Sequence, residues 1–398
     1  MNDTTAPPGV LDGIRVLDLT RYQAGPGCTV MLADMGAEVL KIETPGRGDE
    51  GRYVFLDPGD DVGAYFLAMN HGKRSVAIDY RKPAGRDAVL RIAAQCDVVV
   101  ENFRPGTAAA LGLGYEAVRA VNEQVIYASA SAFGDVGPMH DMAGFDIHAQ
   151  AVGGIMSTTG PDGDAYPVGA AIGDQTAAMT LCTAVLGGLL ARERQGYGQQ
   201  VGVSLYGCQM ALQSWEISQY AKTRKLPGKG GTSHPTVGGT GSVWGSYATR
   251  DGHIALGVLG PKQQQGFLAA LEISAGDSTD AFMLDARHID AEIRRRIAER
   301  TSDEWIAFFR ERDLHVGRVN NYADILDDPQ PWANGYLVEI EHTNARRYTI
   351  VGPTIRFGAT PARVRATAPA LGEHTEAVLR ERGLSDEDIA QLRSEGVV

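Results

Sequence analysis

Over its first 130 residues the chain alternates short apolar strands with helical stretches, and that alternation permits few folds. Residues 15–19 (RVLDL) read as a strand, the glycine turn at 24–27 leads into a helix that stops at Gly36, and residues 38–42 (EVLKI) read as a second strand. The pattern returns as a strand over 76–79, a helix opened by Pro83 and reaching about Gln95, and an apolar strand over 97–101. A helix over 115–121 and a strand over 125–129 follow. Strands spaced by helices of this length imply a parallel sheet covered on both faces, a Rossmann-like α/β arrangement. Ligands on such sheets sit beyond the carboxyl ends of the strands, here after Thr20, Glu101 and Ser129.

A dinucleotide reading does not follow. The turn Ala24 to Gly27 lacks the G-x-G-x-x-G spacing, and Pro26 removes an N–H that would face a pyrophosphate.

From about Lys225 the character changes. Glycines at 228, 230, 231, 238, 239, 241 and 245 crowd into eighteen residues, too many for a regular element. A hairpin over 244–258, turning at Asp251 and Gly252, and amphipathic helices near 261–272, 289–299 and 302–312 come next. Residues 1–224 are therefore expected to form a large domain, and 225–325 a smaller α+β domain that opens with a glycine-rich loop. Residues 326–398 form a C-terminal segment returning to the large domain, with strand signals at 336–341 and 348–351. A chain of 398 residues exceeds the ~250–300 at which a single core stops growing, which also points to two packed units.

The formal net charge is −12 with the acids scattered, which argues against a nucleic-acid or anionic-membrane surface. The longest apolar stretch, 177–191, contains Thr180 and Thr183 and falls short of the roughly 18–20 residues that span a bilayer. The N-terminal residues have no basic start followed by an apolar run, so a cytoplasmic location is expected. Cys28, Cys96, Cys182 and Cys208 lie far apart, with neither a disulfide framework nor zinc-ligand spacing, and the nine histidines show no metal-ligand spacing. No metal is expected, and no G-x-S-x-G nucleophile elbow occurs.

One acid stands out. Residues 168–179 (VGAAIGDQTAAM) are small and apolar except for Asp174, placed just before the long apolar helix. An N-cap is its plain structural role. The same position favours a carboxylate ionised and ready to attack.

At this point the residues resemble a known group, the family III CoA transferases (the CaiB/BaiF group, which contains formyl-CoA:oxalate transferase), over nearly the whole chain. The matching segments are 11–19 (LDGIRVLDL), 23–26 (QAGP), 32–43 (LADMGAEVLKIE), 73–75 (KRS), 100–106 (VENFRPG), 144–146 (GFD), 173–174 (GD), 196–199 (GYGQ) and 371–375 (LGEHT). The resemblance implies that Asp174 is the nucleophile and that Gln23, Ala24, Ile78, Arg81, Asn102 and Phe103 lie along bound CoA. It also implies that the loop carrying Gly238, Gly239 and Gly241 covers the reacting thioester, and that two copies form an interlocked homodimer. Coenzyme A, as acyl-CoA, is then a substrate rather than a permanent cofactor, and the other partner is a carboxylic acid. Ala110 and Ala143 stand where some members carry a basic residue near CoA, which leaves Arg104, Arg47 or Lys41 to meet the phosphates.

The expected reaction moves CoA from an acyl-CoA to an acid through a mixed anhydride and an aspartyl-CoA thioester, with Gln23 and loop N–H groups as oxyanion donors. The rival is a 2-methylacyl-CoA racemase of the same fold, which needs a His and Asp pair flanking the α-carbon. A histidine of those relatives is replaced here by Phe145, and His148 is three residues away. The acids would be selected by shape near Tyr22, Trp244 and the glycine loop, and small dicarboxylates are expected.

Overall fold

The structure, a computed structural model, describes residues 7–233, 243–273 and 286–398. It divides into two compact units, 1–153 with 170–212 and 328–398, and 154–169 with 213–327. The smaller unit thus takes in 154–169 and starts at Gln213, earlier than the glycine-rich onset at 225 suggests.

Six parallel strands run through the larger unit: β1 (Arg15–Asp18), β2 (Glu38–Glu43), β3 (Arg74–Ala77), β4 (Val98–Glu101), β5 (Ile126–Ser131) and β6 (Gln199–Ser204). Their spatial order is β3-β2-β1-β4-β5-β6. Between them run α1 (Ala24–Asp34), α2 (Ala64–Asn70), α3 (Pro83–Ala93), α4 (Thr107–Ala110), α5 (Tyr115–Val121), α6 (Asp146–Val152) and α7 (Ile172–Gln195), and α8 (Leu205–Leu212) follows β6.

Alternation along each strand assigns its side chains to two cores. Leu17, Leu40, Ile42 and Val99 face α3, α5 and the C-terminal helices that carry Val378, Leu379, Ile389 and Leu392. Val16, Val39, Val98 and Val100 face α1 and α7, meeting Cys28, Leu32, Leu181 and Val185. Strand order reverses direction between β1 and β4, so the crevice beyond the ends of those two strands is where this topology binds ligands.

The smaller unit holds an antiparallel sheet of β7 (Val243–Ala248), β8 (His253–Val258) and β9 (Val316–Arg318). Its core stacks Trp305 on Phe309 with ring centroids 5.2 Å apart, beside Phe267, Ile254 and Ile297. Within the larger unit the C-terminal segment adds the hairpin β10 (Leu337–Glu341) and β11 (Arg347–Val351). Among the described residues no helix is long and apolar enough to cross a membrane.

Candidate active site

Beyond the ends of β1, β4 and β5 lies a cavity of about 200 Å³. Tyr22, Gln23 and Ala24 enter it from the start of α1, Asn102, Phe103 and Arg104 from the end of β4, and Asp174 from the first turn of α7. Ala143, Gly144 and Phe145 close another side.

Asp174 is not the cap of its helix. The cap position belongs to Ala171, whose side chain makes no capping bond, and Asp174 sits three residues further on, in the first turn. The free N–H groups of that turn go to another element. Oδ1 of Asp146, in the first turn of α6, accepts from the backbone of Gly173 at 2.6 Å and of Asp174 at 3.2 Å. Gln150, one turn along α6, donates to the other oxygen of Asp146 at 2.7 Å and orients it.

This arrangement reverses the expected ionisation. Burial first, and the negative charge of Asp146 second, push the Asp174 carboxyl up to about 7. Asp174 is half-buried, and no lysine or arginine among the described residues contributes to its ionisation. Its charged form is therefore poorly solvated and more basic than an ordinary carboxylate.

Gln23 is placed beside it by packing. A Cβ on Gly27 would meet the Cβ of Ala178 at 2.9 Å, so glycine lets α1 lie against α7 closely enough to bring the two side chains together. The Gln23 amide is held at both ends. Its Oε1 accepts from the Tyr65 hydroxyl and its Nε2 donates to Oε1 of Gln175, each at 3.4 Å. Tyr65 itself is held in its neutral form, by burial and then by the nearby Asp174 charge.

Asn102 reads the main chain rather than open space. Its Oδ1 accepts from the Arg21 N–H and its Nδ2 donates to the Arg21 carbonyl, both at 2.8 Å, which ties the end of β4 to the turn after β1. Phe103 lies 6.3 Å from the Tyr80 ring.

The other expected residues fall elsewhere. The Ile78 side chain is fully buried in the core, so only its backbone can meet a ligand. Arg81 is exposed and paired with Asp79 at 2.6 and 3.0 Å. Lys41 cannot bind a phosphate: its ammonium is enclosed, ion-paired to Asp49 at 2.9 Å and bonded to the Thr20 carbonyl at 2.9 Å. Arg47 is exposed and lies outside the cavity lining, which leaves Arg104 as the lining cation. Gly238, Gly239 and Gly241 lie outside the described residues. Trp244 belongs to the smaller unit.

Tyr65 and Gln175 carry no local mark in the sequence of their place beside Gln23, and Asp146 is marked only by its position in the segment 144–146. His148 does not supply the base a racemase needs, because its Nδ1 faces the backbone N–H of Phe145 at 3.1 Å and the residue does not line the cavity. Among the described residues no group of His, Cys, Asp and Glu could hold a metal ion.

The family model for CoA-transferase family III matches residues 11–375. The chain belongs to that family. A succinyl-CoA:mesaconate CoA-transferase from Haloarcula hispanica is 36% identical over 391 residues, covering 94% of this chain and 97% of that protein. The human succinyl-CoA:glutarate CoA-transferase is 32% identical over 399 residues, covering 98% and 90%. A CAIB/BAIF family protein from Brucella suis, known as a crystal structure, superposes with a TM-score of 0.82 at 31% identity, covering 94% of this chain and all of that one. As a member of family III this chain is an enzyme of the CoA-transferase class, acting on CoA thioesters and carboxylic acids.

Proposed function

We propose that the enzyme transfers CoA through covalent intermediates on Asp174, and that Gln23 steadies the oxyanions. The observation that carries this reading is a carboxyl pushed up to about 7 without a paired cation, opening on a cavity whose rim holds Gln23 and Arg104.

In the first step the Asp174 carboxylate attacks the thioester carbonyl, forming a mixed anhydride and expelling the CoA thiolate. The thiolate then attacks the aspartyl carbonyl of that anhydride, giving an aspartyl-CoA thioester and releasing the donor acid. The acceptor carboxylate attacks this thioester and expels the thiolate again. Attack of the thiolate on the acceptor's own carbonyl in the second anhydride yields the new acyl-CoA and frees Asp174. Each addition places negative charge on a carbonyl oxygen, and a fixed donor such as the Gln23 amide is worth roughly 3–4 kcal/mol there. A carboxylate of raised basicity suits the first attack.

The relatives named for succinyl-CoA support a succinyl donor and a small dicarboxylic acceptor for this chain as well. An interlocked homodimer and a cytoplasmic location are carried over from the family resemblance.

Intact-protein mass spectrometry after incubation with succinyl-, acetyl- and oxalyl-CoA, with and without hydroxylamine, tests the mechanism. A CoA-sized or hydroxamate adduct mapped to Asp174, and missing from Asp174→Asn, is expected. Turnover by Asp174→Asn at the wild-type rate would sink the covalent route.

A further inference from the structure

Among the described residues Tyr22 is one of six non-glycine residues with a left-handed backbone, at φ +61°. L side chains avoid that region, so the surrounding structure must hold it there. Its position makes the strain informative, because Gln23 and Ala24, which follow directly, line the cavity with Asp174.

The backbone N–H of Tyr22 is bound by the carboxylate of Asp49. Oδ1 accepts from the Tyr22 N–H at 3.2 Å and from the Gly51 N–H at 2.9 Å, while Oδ2 pairs with the enclosed ammonium of Lys41 at 2.9 Å. Lys41 in turn donates to the carbonyl of Thr20, two residues before Tyr22. The Asp49 carboxylate is itself almost completely buried. Its own backbone N–H donates to Glu43, which is locked by a two-pronged bond from Arg52 at 2.8 and 2.7 Å.

Building a buried ion pair beneath an otherwise short turn is a poor route to stability, since desolvation offsets most of the attraction. Fixing a strained backbone at a site is a better account of it. We propose that Asp49 is a positioning residue: by holding Tyr22 in its left-handed conformation it sets where Gln23 and Ala24 stand relative to Asp174. This inference rests on Asp174 being the covalent nucleophile.

Two double variants separate the hydrogen bond from the ion pair. Asp49→Asn with Lys41→Met removes both charges and keeps an oxygen for the Tyr22 N–H; Asp49→Leu with Lys41→Met removes the oxygen too. The readout is single-turnover adduct formation on Asp174 with succinyl-CoA, per folded molecule and well below both melting temperatures. The asparagine double variant is expected to stay near the wild-type rate. The leucine double variant is expected to lose roughly 100-fold in rate, the scale of a 1 Å misplacement, with the half-saturating succinyl-CoA concentration little changed.

A second arm does not depend on the folding of those proteins. Tyr22→Gly and Tyr22→Ile both lose the phenol ring, but glycine takes φ +61° freely and β-branched isoleucine resists it, so the glycine variant should form adduct about tenfold faster. Equal rates within either pair, from a wild-type chain that does form the adduct, overturn the positioning role alone. A wild-type chain that forms none overturns the covalent reading and this inference with it.

Discussion

Asp146 and Asp174 share one helix N-terminus: the carboxylate of the first accepts the backbone N–H of the second at 3.2 Å. A helix start ordinarily steadies an acid in its first turn. Here that capacity is taken by Asp146, and Asp174 is left half-buried with a like charge at its side. Two neighbouring carboxyls thus have separate work, one holding the helix and one kept basic.

The first consequence concerns pH. In the proposed route only ionised Asp174 attacks, so adduct formation should rise with pH through an inflection near the value of about 7 that burial and Asp146 impose. Asp146→Asn keeps an oxygen for the Gly173 and Asp174 N–H groups and removes the charge. The inflection should then move to lower pH without reaching the ordinary carboxylate value, because burial is the larger cause. Quenched-flow rates from pH 5 to 9 check this; an unmoved inflection would show that Asp146 does not act on Asp174.

A second concerns stability. The Asp174 carboxyl ordinarily titrates at 3.8 and is raised to about 7 in the fold. A raised acid makes its full stabilising contribution below the lower value and loses it as pH climbs through the upper one. At 1.36 kcal/mol per unit the penalty above pH 7 has a ceiling of about 4 kcal/mol, and partial exposure reduces it. Asp174→Asn should therefore melt higher than wild type at pH 8, with the gap closing by pH 4.5. Calorimetry at the two pH values decides it, and a gap of the same size at both would refute the linkage.

Asn102 supplies a third. Its side chain satisfies both the N–H and the carbonyl of Arg21, so Asn102→Ala leaves two main-chain groups without partners and should cost about 1–3 kcal/mol. Because Asn102 itself lines the cavity, its loss should also weaken acyl-CoA binding directly. Asn102→Asp keeps the acceptor but sets a carboxylate against the Arg21 carbonyl, and should be no better than alanine. Urea melts and KM for the acyl-CoA measure both effects.

The sheet was legible because its central strands are buried on both faces: neighbours such as Leu17 and Val16 enter opposite cores, so the strands stand out in the sequence as short continuous apolar runs. Strand β6 (QQVGVS) escaped notice because it lies at the sheet edge and is only half-buried, so glutamines and a glycine stand where apolar residues would have marked it. The location of the cavity followed from the strand ends, yet the surroundings of its side chains did not. Lys41 looked like a phosphate ligand because a lone basic residue in sequence carries no sign of Asp49, eight positions on, enclosing it. Asp174 looked like a cap because the true acceptor, Asp146, is supplied from another helix.

The closeness of two helices brings together the two side chains proposed to act in catalysis. Gln23 and Asp174 begin different helices, and what fixes their separation is the closeness of α1 to α7 at Gly27. A methyl group there would lie 2.9 Å from the Cβ of Ala178, and both atoms sit on helical backbone, so neither can swing aside. Gly27→Ala must push the helices apart, costing about 1–3 kcal/mol as an overpacked contact does. The displacement carries the Gln23 amide away from its 3.4 Å contact with Gln175, next to Asp174, so kcat should fall more than the lost stability explains. Shortening the opposing side chain restores the space: Gly27→Ala combined with Ala178→Gly should recover most of the rate, though glycine inside α7 lowers stability by about 1 kcal/mol. A double variant as slow as Gly27→Ala alone would show that helix spacing is not what positions Gln23.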